Sequence, residues 1–191
     1  MGTRGIVGLI IDTQIKASYN HFDSYPSGLG LDVVKFVTGI DDLDAVIAQA
    51  RDLVLVPEDG EPTPEQVQRM TGQETPDTAV GGDWYGWLRD AQGDLAETLR
   101  LGFATDGVAF ASNSLFCEWG YLVNLDNQTV EVYRGFQNDP HTDGVFATAE
   151  PYEAYAGTTY YPIRRIAVLP FDQLSDIAMT SIEAAEYEEE E

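Results

Sequence analysis

Apolar and polar positions change period along this chain. Ile6, Val7, Leu9, Ile10 and Ile11 form a dense β-prone run, Asp12-Thr13-Gln14 supplies a polar turn, and a second strand-like run extends from Ile15 to Phe22. Two such runs around a short polar turn predict an N-terminal hairpin. From Leu31 the period becomes helical: Leu31, Val34 and Val37 share a face, Val33 and Phe36 widen it, and Gly39 is a natural stop. A second helix opens at Asp41-Asp42-Leu43-Asp44, whose acids suit the positive end of a helix dipole, and its stripe is Leu43, Val46, Ile47 and Ala50. Leu53 to Val56 reads as a short strand or an apolar anchor. Thr63-Pro64-Glu65-Gln66 starts a helix with proline in its first turn, which ends near Met70. Residues 71–82 read as a surface loop, order resumes at Trp84 to Leu88, and Asp94 to Leu101 is helical.

The second half is strand-like. Cys117 to Leu125 and Thr129 to Arg134, rich in aromatic and β-branched residues, flank the polar turn Asp126-Asn127-Gln128 and predict a second hairpin. Phe136 to Gly157 is irregular, with Asp139 to Gly144 as a candidate lid, and Tyr160 to Leu169 is a last strand. Helices gathered in the first half and strands in the second predict an α+β fold: one domain over residues 1–182, built on an antiparallel sheet with an N-terminal hairpin. The acidic run from Glu183 is expected to be a flexible, solvated tail over 183–191.

Composition narrows the function classes. With 43% hydrophobic residues, the chain of 191 residues has enough apolar material for a core. Its 33 acidic residues against 10 basic ones give a net charge of −23, a surface that repels phosphate backbones and anionic lipid. Neither direct nucleic-acid binding nor membrane docking is therefore expected. Two readings of the charge remain: solubility in a crowded or salty medium, or an acidic surface that imitates DNA and occupies a basic groove on a host protein. Cys117 is the single cysteine, so no internal disulfide forms, in keeping with a reducing cytoplasm. No signal-like segment and no long apolar run is visible, so a cytoplasmic location is the expectation.

The densest chemistry lies between Tyr19 and Gly30. Candidate ligand-binding residues there are Tyr19, Asn20, His21, Asp23, Ser24, Tyr25, Ser27, Gly28 and Gly30, with Arg4 as a basic partner and Lys16 and Lys35 as the other nearby cations. Gly28 and Gly30 allow close backbone approach, and the following helix adds unpaired N–H groups, a combination suited to a small polar or anionic ligand, including a nucleotide-like one. No Lys-Ser/Thr pair follows the glycines, so this is not a P-loop. The plainer alternative is a structural turn shaped by Pro26 and the glycines, with Ser27 capping the helix. Cys117 beside Glu118, with His21 and His141 elsewhere, permits a nucleophilic reading, although a cysteine at the start of a strand is more often a small core residue. Two histidines and one cysteine do not make a zinc site, and Asp41-Asp42-Asp44 and Glu58-Asp59-Glu61 match no calcium loop. No metal and no cofactor is expected. The aromatics of Trp84-Tyr85-Gly86-Trp87 read as core.

Three stretches carry a family resemblance: Met1 to Gly5, Tyr19 to Gly30, and Phe116-Cys117-Glu118-Trp119 with its hairpin to Tyr133-Arg134-Gly135. On these the chain resembles a family of uncharacterised proteins of actinobacteria and their tailed phages, which implies a phage-associated protein but no activity. Gly5-Ile6-Val7-Gly8 and Asn20-His21-Phe22-Asp23 are also distantly similar to the layout of hydrolases with an N-terminal nucleophile. There the sequence departs from the pattern, because position 2 is glycine and Thr3 would serve only after a further cleavage. Three functions follow as expectations: a small-ligand-binding protein acting at the Tyr19 to Gly30 loop, a hydrolase of amides or phosphoesters, and an acidic DNA mimic or protein-interaction module.

Overall fold

The computed structural model, which describes residues 2–72, 82–154 and 157–189, begins with the expected hairpin of β1 (Gly5–Ile11) and β2 (Gln14–Asn20). Its two turn residues, Asp12 and Thr13, both have positive φ, 50° and 64°, the conformation whose twist matches that of the flanking strands. The Asp126 carboxylate accepts hydrogen bonds from both of their amides at 2.9 Å, so the second hairpin's turn holds the first.

Pro26–Gly30 forms a π-helical turn that runs into α1 (Leu31–Thr38), and α2 (Leu43–Asp52), β3 (Val54–Val56) and α3 (Pro64–Thr71) follow. The next elements are α4 (Trp84–Leu88), α5 (Leu95–Leu101), β4 (Phe103–Thr105), β5 (Trp119–Asn124) and β6 (Thr129–Arg134). β7 (Tyr152–Glu153), β8 (Thr159–Tyr160), β9 (Arg164–Pro170) and α6 (Asp176–Glu189) complete the chain. The helix starts are set by local chemistry. Asp42, Asp83 and Asp94 each accept an amide hydrogen bond from the first turn, and Thr63 and Gln66 form a reciprocal capping box. Of the expected 71–82 loop, residues 73–81 lie outside the described residues.

The main sheet has the order β2-β1-β5-β6-β9. The α+β class and the N-terminal hairpin are as the sequence implied, but the sheet is mixed: β1 and β5 pair in parallel, and the other three pairings are antiparallel. A parallel neighbour needs a long crossover, and here that crossover contains α1 to α5. β3 and β4 form a separate parallel pair.

Both faces of the sheet are covered, which explains why all of β1 is buried. Val7, Leu9, Ile11, Tyr121, Val123 and Val132 face a helical layer supplied by Val33, Val34 and Val37 of α1, Ala50 of α2, Leu95 and Leu99 of α5, and Met179 of α6. Ile6, Ile10, Leu122 and Tyr133 face Ala111, Cys117, Phe146 and Ile163 from the irregular segments. A third cluster joins Val67 and Met70 of α3, Trp84 and Leu88 of α4, and Phe103 of β4. The expected lid belongs to the second layer. His141 Nε2 donates to the Pro162 carbonyl at 2.8 Å, Phe146 is buried, and Gly144 lies against Tyr133 and Arg165. This segment is fastened over the sheet face opposite the helices.

Where the sequence suggested a solvated tail from Glu183, the structure has helix through Glu189. α6 is anchored by Met179, packed into the space left by Gly30, and by two carboxylates: Glu183 on the Ser27 amide and Glu186 beside Arg134 at 3.6 Å.

Candidate functional site

Asn20 ends β2 and organises the loop that follows. Its Nδ2 donates to the Phe22 carbonyl and to Ser24 Oγ. A carbonyl only accepts, so this assignment of the amide is chemically required, and Oδ1 is left as an acceptor. Ser24 is fully buried: its amide donates to the Thr3 carbonyl at 3.2 Å, and its own carbonyl accepts the Tyr121 hydroxyl at 2.9 Å. Asp23 adopts a positive φ of 51°, and its carbonyl accepts the Leu29 amide at 2.9 Å. A Cβ at position 28 would lie 2.3 Å from that carbonyl oxygen, so the close approach requires glycine.

The amides that were expected to cradle an anion are already engaged. Ser27 N–H donates to Glu183 Oε2 at 2.8 Å, Gly28 N–H and Gly30 N–H donate to the Tyr25 carbonyl, and Leu29 N–H donates to Asp23. Two of the three nearby cations are engaged as well, and the third, Lys35, lines the groove beside the loop. Lys16 Nζ donates to the carbonyls of Ala50, Arg51 and Leu53 at 2.9, 2.8 and 2.7 Å, closing the C-terminal end of α2, and Arg4 lies over the Phe116 ring at 5.4 Å. The negative charge facing the loop comes from α6, through Glu183.

Beside it runs an open groove of about 1150 Å³. Its walls come from the loop, from α1, from α2, from Tyr85 of α4 and from residues 89–99, which run into α5. Of the residues expected at a site, Asn20, His21, Asp23, Ser27 and Gly28 line it, and Arg4, Tyr19, Ser24, Tyr25 and Gly30 do not. Tyr19 sits edge-on to Phe110, with ring centroids 5.1 Å apart, and its hydroxyl is hydrogen-bonded to His21 Nδ1 at 2.6 Å. Ser24, Tyr25 and Gly30 shape the turn. The remaining lining includes Asp32, Lys35 and Phe36 of α1, Val46 and Gln49 of α2, and Tyr85, Arg89, Asp90 and Gly93. Lys35 is among the cations expected nearby, but sequence reading missed the others because they come from four separated segments. The one local signal was Phe36, which widens the apolar stripe of α1 beyond what the sheet covers.

The groups with nucleophilic chemistry lie elsewhere. Cys117 is wholly buried with Sγ directed to the Trp119 carbonyl at 3.7 Å, and burial, reinforced by the Glu118 charge, pushes its thiol far above the ordinary range. Thr3 is 2% exposed. On the sheet face opposite the helices, Glu131 accepts from Tyr133 Oη at 2.6 Å, Asn124 Nδ2 at 3.1 Å and Arg165 Nη1 at 3.1 Å. Burial favours its protonated form, but these donors and the Arg165 charge outweigh that and hold the carboxyl below its ordinary range. Among the described residues no group of three His, Cys, Asp or Glu could hold a metal ion, and no helix is long and apolar enough to cross a membrane.

Set against known protein families, characterised proteins and solved structures, the chain shows no match.

Proposed function

We propose that this protein binds a small polar ligand in the groove beside the Tyr19 to Gly30 loop. The observation that carries this reading is the groove itself. At about 1150 Å³ it is slightly larger than the usual small-molecule site, and it combines apolar surface from Leu31, Phe36 and Leu95 with polar groups from Asn20, His21 and Gln49. The loop side of the groove is held in place by hydrogen bonds made by Asn20, Ser24, Tyr121 and Glu183. The resemblance to actinobacterial and phage proteins makes a host small molecule, met in the cytoplasm of an infected cell, the natural ligand of such a protein.

The hydrolase reading has less support, because Cys117 and Thr3 are both buried and neither lines the groove. The DNA-mimic reading rests on the net charge alone.

Thermal shift against a panel of cellular small molecules tests the proposal, with wild type compared to Ala96→Trp. Ala96 is exposed and lines the groove, so tryptophan there fills space without disturbing the core. A compound that stabilises wild type but not the filled variant supports the proposal. Equal stabilisation of both places the ligand elsewhere and refutes it.

A further inference from the structure

Asn20 is 7% exposed, lines the groove, and has an amide oxygen to which nothing among the described residues donates. The space in front of this oxygen is kept open by the backbone: Gly93 has a φ of 82°, and a Cβ there would lie 2.8 Å from Asn20 Oδ1. Any side chain at position 93 would crowd the acceptor. This oxygen opens on the groove and is reached by water, so a ligand N–H or O–H group can take the water's place as its donor.

The charge of the walls narrows that group further. Asp23, Asp32, Asp41, Asp90 and Asp94 line the groove, against Lys35 and Arg89. Arg89 already lies 6.0 Å from the Tyr85 ring centroid. The amides that would have welcomed an anion are occupied by Glu183, Tyr25 and Asp23. Phe22, 61% exposed, adds an aromatic surface suited to a cation or an apolar body.

We infer that the groove takes a primary ammonium carried on an apolar body, with the ammonium donating to Asn20 Oδ1 in a groove whose charged lining is mostly aspartate. This rests on the groove being the binding site and names the class of ligand it selects. The acceptor demands a donor, the aspartates demand a positive charge, and the apolar walls demand a hydrocarbon or aromatic remainder. A trimethylated ammonium satisfies the second and third demands but not the first, and a carboxylate of the same shape satisfies only the third.

The test is an amide-NMR titration of the full chain with three probes: phenethylammonium, its N-trimethyl analogue and 3-phenylpropionate. The inference predicts that phenethylammonium shifts the resonances of Asn20, Gly93 and Ala96 and binds about tenfold or more tighter than either analogue, as expected for one charge-assisted hydrogen bond. It also predicts an about threefold to tenfold loss of affinity in Asp23→Asn/Asp90→Asn, a pair of exposed positions outside the core, and weaker binding at high salt. Equal or tighter binding of the carboxylate or the trimethyl probe at these residues overturns the inference while leaving the groove as the site. If no probe shifts the groove residues, both the inference and the groove reading fail.

Discussion

Glu183 Oε2 accepts the Ser27 amide hydrogen at 2.8 Å, joining positions 156 residues apart. The acidic helix therefore supplies the negative charge that the first amide of the π-helical turn attracts, and Met179 one turn earlier lies against Gly30. Removing the acceptor leaves a backbone donor facing water at the rim of the fold. Glu183→Ala is expected to cost about 1 kcal/mol in urea denaturation, and Glu183→Gln less, because its amide oxygen still accepts. Identical midpoints for all three proteins would mean that α6 does not clamp the loop.

Asn20 is the interior brace of the same loop. Asn20→Asp replaces the Nδ2 donor with an oxygen facing the Phe22 carbonyl, and Asn20→Ala leaves that carbonyl and Ser24 Oγ without their donor. Each is expected to lose about 2 kcal/mol of stability in the same assay. A loss of a few tenths would show that water replaces the amide without cost.

Cys117 offers a direct check on the nucleophile question. Its thiol is buried and pushed far above the ordinary range by desolvation, so iodoacetamide at mildly alkaline pH is expected to leave the folded protein unmodified and to label it fully in denaturant. Rapid labelling of the folded protein, read by mass spectrometry, would reopen a role for this cysteine.

Acid stability reports on Glu131. Its folded carboxyl titrates below the ordinary glutamate value near 4.5, so the folded state binds fewer protons there than the unfolded chain. Its contribution is fully present above that value and is lost as pH falls through the lower, folded one. Glu131→Gln is expected to be less stable than wild type at pH 7, with the gap narrowing below about pH 4.5. A gap that stays constant on acidification would contradict the network of Tyr133, Asn124 and Arg165 around this group.

The elements written in local chemistry were the legible ones. Asp12-Thr13 between β-prone runs, the Thr63-Pro64-Glu65-Gln66 start, and Gly39 after the stripe of α1 each act within a few residues, and each has its structural counterpart. The β1–β5 pairing was hidden, because it joins Gly5 to Trp119 and no short-range pattern encodes direction across such a crossover. α6 was hidden for a different reason. Its apolar residues do not form one stripe, Ile177 being 79% exposed while Met179 is buried, so its docking depends on Gly30 and Ser27 and not on its own periodicity. The same distance effect divides the candidate site. The polar density of Tyr19 to Gly30 marked the neighbourhood, but it could not show that Ser24 and Gly30 face inward or that Asp90 and Gly93 arrive from the far side of the groove.

The most direct measurement is native mass spectrometry of the protein after exposure to a protein-free cell extract, for wild type and Ala96→Trp side by side. Our account predicts an added small-molecule mass on wild type that acid denaturation releases and that the groove-filled variant lacks. Bare protein in both, or the same added mass on both, would contradict it.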